Sequence, residues 1–269
     1  MSIAIPDPST QLRSTVQTGG QLEIALDMVE TPTPGPGEIL VRMQAAPINP
    51  SDLGLLFAMA DVTKAESTGD AARPSVVAPI AEGTMRALSA RLDQSLAVGN
   101  EGAGIVVAAG DAASEALIGR TVSIVGGATY SQYRSVPAVM ALAMPEGTTP
   151  KEAASWFVNP LTALGMVETM KREGHKALVH TAAASNLGQM LNRVCLSDEV
   201  DLVNIVRREE QAELLRGIGA RYVCNSSDDD FMAQLTDALA EIGATIAFDA
   251  TGGGRLAGQI LTCMERALN

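Results

Sequence analysis

The stretch with the clearest chemical capacity reads TAAASNLGQML, residues 181–191. Ala182, Ala183, Ala184, Ser185 and Asn186 form a run without a large side chain, and Leu187 opens a segment of helical spacing. A turn of small residues leading into a helix exposes backbone N–H groups beside the positive end of the helix dipole, an arrangement that can hold a diphosphate. Such turns usually read G-x-G-x-x-G, with glycines for the tight turn, for close approach of the diphosphate and for helix–strand packing. Here Ala182 and Ala184 (or Ser185) stand near the first two glycine positions, and Gly188 stands at the third. Alanine is the smallest replacement, and Asn186 tolerates left-handed backbone better than most residues. The candidate contacts are therefore Ala184, Ser185, Asn186, Leu187 and Gly188. The loop alone is equally compatible with an α/β domain that binds no nucleotide.

Two more stretches bear on the same chemistry. A unit that holds the ribose 2′-hydroxyl of NAD usually places Asp or Glu about 20 residues beyond the turn. Here the second strand ends in Val206-Arg207-Arg208, with no acid at its tip. Two guanidiniums suit a 2′-phosphate, because each offers a planar fork of donors to phosphate oxygens, and this favours NADPH over NADH. The plain alternative is a solvated strand end. Asp249-Ala250-Thr251-Gly252-Gly253 closes a later strand at the edge where ligands bind in open α/β sheets, so Thr251 and Gly252 are candidates, unless the stretch is only a helix-entry turn.

The elements that must position these groups follow from periodicity. Residues 177–181 read as a short buried strand, 187–196 as a helix with Leu187, Met190, Leu191 and Val194 on one face, and 201–206 as a second buried strand. A helix over 209–217, a strand over 221–224, a helix over 228–242, a strand over 244–249 and a helix over 253–268 continue the alternation. Four parallel strands interleaved with helices imply a doubly wound sheet. Residues 1–148 differ. Strand candidates at 22–26, 39–45, 103–109, 121–125 and 130–136, punctuated by Gly and Pro, imply an all-β module. Residues 58–96 read as an insertion or long loop at its mouth, loop-like over 61–74 and helical over 84–92. The domain boundary falls at 148/149. Thr149-Pro150-Lys151-Glu152 starts a helix to about 158, and Asn159-Pro160 interrupts it and starts another to about 173.

Composition excludes several classes. Net charge is −12, which argues against nucleic acid or an anionic membrane surface as partner. Cys195, Cys224 and Cys263 are scattered, consistent with free thiols in a reducing cytoplasm, and His175 and His180 are the only histidines, so neither numbers nor spacing support a metal site. No signal-type N-terminus and no apolar run of spanning length is present.

Several motifs in order resemble the medium-chain dehydrogenase/reductase superfamily: INPSD (48–52), NEGAGIVVAAG (100–110), TYSQYRSVPA (129–138), NPLTALGMVE (159–168), TAAASNLGQML (181–191) and FDATGG (248–253). They look most like its zinc-free branch of quinone oxidoreductases and enoyl thioester reductases. The resemblance implies a GroES-like β-barrel module, residues 1–148, followed by a Rossmann-type NADP-binding domain, residues 149–269. Zinc-dependent members carry a histidine where Asn100 stands. Enoyl thioester reductases place a tyrosine donor shortly after INPSD, where this chain has Phe57 and no tyrosine through residue 61.

The resemblance further implies hydride transfer from NADPH to a quinone or activated enone, with a small-molecule substrate, a cytoplasmic location and a homodimer as an option. It places Asn49 and Asp52 at the substrate cleft, where turn formation around Pro50 is their alternative role, and Asn159 near the nicotinamide, where helix capping is the alternative. Thr162 faces the nicotinamide or bonds within its own helix, and Tyr130 donates to a carbonyl or is a barrel residue with a wet tip. The other readings are an enoyl thioester reductase and an NADPH-binding sensor or structural protein without turnover. Family members continue past a fourth parallel strand, so the chain is expected to be the N-terminal portion of a longer protein, with its Rossmann sheet incomplete.

Overall fold

The computed structural model describes residues 5–269 and divides into two compact units, the first ending at Val158 and the second being Asn159–Asn269. In chain order the first unit contains β1 (Ser9–Gln17), β2 (Gln21–Val29), β3 (Glu38–Ala45), α1 (Pro50–Phe57), β4 (Glu66–Gly69), β5 (Pro74–Pro79), α2 (Glu82–Met85), β6 (Ser95–Ala97), β7 (Glu101–Ala109), β8 (Thr121–Val125), β9 (Tyr133–Pro137), β10 (Ala141–Ala143) and α3 (Pro150–Ala153). They build two antiparallel sheets, ordered β4-β5-β2-β1-β6 and β10-β8-β7-β3-β9. Alternation explains the second sheet. Ile39 and Val41 of β3, Val106 of β7, Val122 and Ile124 of β8 and Val136 of β9 are buried together in one core.

Residues 58–96 are not a loop at a mouth. β5 pairs with β2, β4 pairs with β5, and β6 pairs with β1, so the segment completes the first sheet. Every residue of β4 is exposed, which leaves no apolar alternation to read. The helical stretch expected over 84–92 is a four-residue α2 plus a 3₁₀ turn at Ser89–Arg91. Its apolar face is real: Leu88 is buried with Val16, Leu22, Ala58 and Ile80, and Met85 and Leu92 pack against them. The strand expected over 130–136 begins at Tyr133, because Tyr130 and Ser131 lie against β1 through Leu12 N–H to Tyr130 O and the Gln11–Ser131 bridge.

The second unit contains most of α4 (Val158–Arg172), then β11 (Ala177–His180), α5 (Asn186–Ser197), β12 (Asp201–Val206), α6 (Glu209–Gly217), β13 (Tyr222–Asn225), α7 (Phe231–Ile242), β14 (Ile246–Phe248) and α8 (Leu256–Leu268). The four strands are parallel in the order β13-β12-β11-β14. Helices cover both faces. Leu178 and Leu202 pack with α4 and α5 through Ala163, Val167, Leu191 and Cys195. Val179, Val203 and Ile205 pack with α7 and α8 through Leu235, Leu239, Ile260 and Cys263. Two helix boundaries differ from expectation. α3 stops at Ala153, and α4 starts at Val158, so Asn159 lies inside its first turn and does not cap it. Proline is tolerated there because first-turn N–H groups have no intrahelical acceptor.

Candidate functional site

The second unit carries a cleft of about 590 Å³ at the carboxyl ends of β11, β12 and β14. Ala182, Ala183, Ala184 and Ser185 form one wall, Arg207, Gln211 and Ser226 another, and Thr251–Gln259 supplies lining from Thr251 through Leu256 and at Gln259. The turn after β11 leads into a helix as its sequence implied, but its left-handed residue is not Asn186, which already belongs to α5. Ala182 has φ +50, left-handed backbone at the place of the first fingerprint glycine. Ser185 caps α5, its hydroxyl accepting from Gly188 N at 3.1 Å. Gly188 has no room for a side chain: a Cβ there would stand 2.1 Å from the carbonyl oxygen of Ala183. The third glycine thus keeps its packing role, and alanines have replaced only the first two.

The ends of β11 and β14 are tied by one carboxylate. Asp249 accepts from the Thr181 hydroxyl at 2.7 Å and from Thr251 N at 2.9 Å, and the Thr181 hydroxyl accepts from Ala250 N at 2.8 Å. The Thr181 hydroxyl foremost, with the backbone amides, holds the Asp249 carboxyl below the usual carboxylate range. Its charge is spent within the turn. The cleft lining proper contains two arginines, Arg207 and Arg255, and no acid, in a chain with 31 Asp and Glu. That fits a polyanionic ligand, although within the turn Ala183 N and Ser185 N already donate to Ile205 O and Ala182 O.

Of the second-unit candidates, Ala184, Ser185, Arg207, Thr251 and Gly252 line this cleft; Asn186, Leu187 and Gly188 form the first turn of α5 beside it. Arg208 is not in the lining; it is the exposed residue preceding α6. Asn159 and Thr162 stand in the first turns of α4, likewise outside the lining.

The first unit brings Asn49, Asp52 and Tyr130 together around a buried acid that sequence reasoning passed over. Glu101 has no exposed surface. Its Oε1 accepts from Asn49 Nδ2 at 2.8 Å, and its Oε2 accepts from Phe157 N at 2.9 Å and Val158 N at 3.0 Å, at the start of α4. Asp52 is buried too; its Oδ2 accepts from Asn49 N at 2.7 Å, which closes the first turn of α1, and its Oδ1 has no partner among the described residues. The Tyr130 hydroxyl donates to Pro47 O at 2.8 Å, and burial, assisted by the nearby Asp52 carboxylate, pushes its pKa up to about 12. Asn100 Nδ2 donates to Ser51 Oγ at 2.9 Å.

Residues 35–146 match the alcohol dehydrogenase GroES-like domain family. A solved structure of the assigned NADPH:quinone reductase of Mesorhizobium loti superposes on 97% of this chain and 72% of its own, with TM-score 0.72 and 26% identity. Residues 35–146 thus carry an alcohol dehydrogenase GroES-like domain, and the chain as a whole is similar to quinone oxidoreductases of the medium-chain dehydrogenase/reductase type. Among curated relatives, the rat synaptic vesicle membrane protein VAT-1 homolog is 27% identical over 225 residues, 82% of this chain and 48% of the relative. Mouse prostaglandin reductase-3 is 27% identical over the same length, 82% of this chain and 51% of its own. A mycocerosic acid synthase-like polyketide synthase of Mycobacterium tuberculosis is 27% identical over 255 residues, 92% of this chain and 11% of that protein. The chain thus spans about half the length of the first of these relatives.

Asn100 is engaged with Ser51, and among the described residues no group of three or more His, Cys, Asp or Glu gathers as a metal cage. One further ionisable group precedes the turn at 182–185. His180, the last residue of β11, is fully buried, with Nδ1 donating to Phe248 O at 3.2 Å and Nε2 unpartnered. Burial, the largest influence, lowers its pKa against the opposing pull of Phe248 O and Asp249. The folded state therefore resists a proton that the unfolded chain accepts below about pH 6.5. Stability from this group is complete above that pH and falls as pH drops through it. His180→Gln is expected to flatten this acid limb, seen as a smaller loss of Tm between about pH 7.5 and about pH 5.5 than in the parent. An unchanged limb would assign the acid sensitivity elsewhere.

Proposed function

We propose that the chain acts as an NADPH-dependent oxidoreductase that reduces a quinone or an activated enone without a metal. The observation that carries this reading is the acid-free cleft with Arg207 at the tip of β12. The Mesorhizobium structure and the prostaglandin reductase relative support it. Bound there, the dinucleotide would supply the hydride. The turn 182–185 and the first turn of α5 would hold its diphosphate, and Arg207 its 2′-phosphate. Asn159 and Thr162 are proposed to orient the nicotinamide half. Asn49, Asp52 and Tyr130 would shape the substrate side; of these, Tyr130 keeps its proton throughout the neutral range and would give it up only by leaving Pro47 O. Buried free thiols at Cys195, Cys224 and Cys263 accord with a reducing, cytoplasmic setting as part of the same proposal.

An enoyl thioester is the second substrate reading, supported by the match of 92% of the chain to a polyketide synthase. The deciding experiment is NADPH oxidation with a quinone, an enone and an enoyl thioester in turn, each with and without chelator. Oxidation by one class, unaffected by chelator, is the expected result. Tight NADPH binding with no oxidation by any class would instead mark a sensor or structural protein. Arg207→Ala is expected to weaken NADPH about ten- to a hundredfold, the range for one lost hydrogen bond to a charged group, while NADH affinity stays within about twofold. Equal affinity of the parent for both dinucleotides would remove the NADPH assignment.

A further inference from the structure

The two arginines of the cleft stand on opposite sides of the phosphate turn. β11, which carries that turn, lies between β12 and β14. Arg207 follows β12, and Arg255 follows β14. Neither side chain forms an ion pair among the described residues, although both belong to a chain of net charge −12. Between β14 and Arg255 run Gly252, Gly253 and Gly254, all left-handed at φ +64, +72 and +66, with nothing within 4 Å of where their Cβ atoms would be. All three line the cleft, so the backbone in front of Arg255 is stripped of side chains and a ligand can approach it. α8 starts at Leu256 with no side-chain cap, and Leu256 and Gln259 of its first turn share the lining. The only carboxylate in the turn, Asp249, is already satisfied by Thr181 and Thr251.

Resting on the dinucleotide reading above, we infer that Arg255 is a second anion-binding residue, that it holds the diphosphate from the β14 side, and that Arg207 alone selects the 2′-phosphate. The division follows from position. A dinucleotide laid over the turn after β11 places its central diphosphate above that turn, its adenosine end toward β12 and its other half toward β14. A guanidinium on the β14 side therefore meets charge that NADH and NADPH share, whereas one on the β12 side meets charge that only NADPH has.

Calorimetric titration of the 269-residue chain and its variants with NADPH, NADH and 2′,5′-ADP separates the roles, because 2′,5′-ADP has the 2′-phosphate and the adenosine-side phosphate but lacks the diphosphate's second phosphate, the one toward β14. Arg255→Ala should weaken NADPH and NADH alike, about tenfold or more, and leave 2′,5′-ADP within about twofold. Arg255→Lys should recover part of the loss in both dinucleotides, and the Tm of both variants should match the parent, since Arg255 is exposed. Arg207→Ala should show the reverse pattern, losing NADPH and 2′,5′-ADP while keeping NADH. Unchanged affinities in Arg255→Ala, in a parent that binds both dinucleotides, overturn this inference and leave the proposed function standing. A loss confined to NADPH and 2′,5′-ADP also overturns it, by moving Arg255 to the 2′-phosphate. A parent that binds none of the three overturns the proposed function and this inference together.

Discussion

Gly188→Ala is expected to lower the thermal midpoint of the second unit by about 5–20 °C and to abolish dinucleotide binding. The added methyl would stand 2.1 Å from the oxygen, 2.5 Å from the carbonyl carbon and 2.7 Å from the Cα of Ala183. All three are backbone atoms of a residue with no exposed surface, so no side chain can rotate away. Relief requires α5 to lift from the sheet. That movement opens the packing of Leu191 and Cys195 on Leu178 and breaks the bond from Gly188 N to Ser185 Oγ. The overpacking cost of about 1–3 kcal/mol is the source of the expected shift. Gly165→Ala is the control. Gly165 is exposed within α4, nothing lies within 4 Å of its Cβ position, and the exchange should raise stability by about 1 kcal/mol through helix propensity. If both exchanges move Tm the same way in differential scanning calorimetry, the close approach at Gly188 is not what the packing implies.

Glu101→Ala should cost the first unit about 3 kcal/mol, read as a fall in the urea midpoint at constant m-value. The carboxylate accepts three N–H bonds, from Asn49, Phe157 and Val158, and forms no ion pair among the described residues. Removing it takes one acceptor from each of the three donors, at about 1 kcal/mol each in a site this protected. The start of α4 also loses a negative charge at its positive end. Glu101→Gln keeps the volume and one acceptor oxygen, so its loss should be about half as large. An alanine variant as stable as the parent would mean that water replaces the carboxylate without penalty.

The second unit was legible because its hydrophobic period changes from two to 3.6 and back, so Ala177–His180, Asn186–Ser197 and Asp201–Val206 sit where the pattern puts them. The first sheet was harder. β1 buries Ser9 and Ser14, and Ser14 is satisfied inside by donating to Leu56 O at 2.9 Å, so a polar residue occupies a core position and the alternation is lost. β4 buries nothing at all. In the cleft, the turn and Arg207 could be read from local sequence, but Gln211, Ser226, Arg255 and Gln259 come from separate segments that only the order β13-β12-β11-β14 brings to one edge. Glu101 did leave a trace. It is an acid opening the run EGAGIVVAA with no basic residue near it in sequence, which is the mark of a carboxylate headed for an interior full of N–H donors.

The acid-free cleft sits in a molecule whose far field has the opposite sign. An anion approaching a body of net charge −12 meets repulsion first, out to roughly a Debye length of about 10 Å at 0.1 M salt, and attraction only once it reaches the arginines. Salt screens both regions. It eases arrival by quieting the long-range repulsion and eases departure by loosening the guanidinium contacts, so both rates rise while the dissociation constant registers only their ratio. For an anionic ligand of this protein, a weak salt dependence at equilibrium is therefore compatible with strong electrostatics, whose trace lies in the speed of exchange.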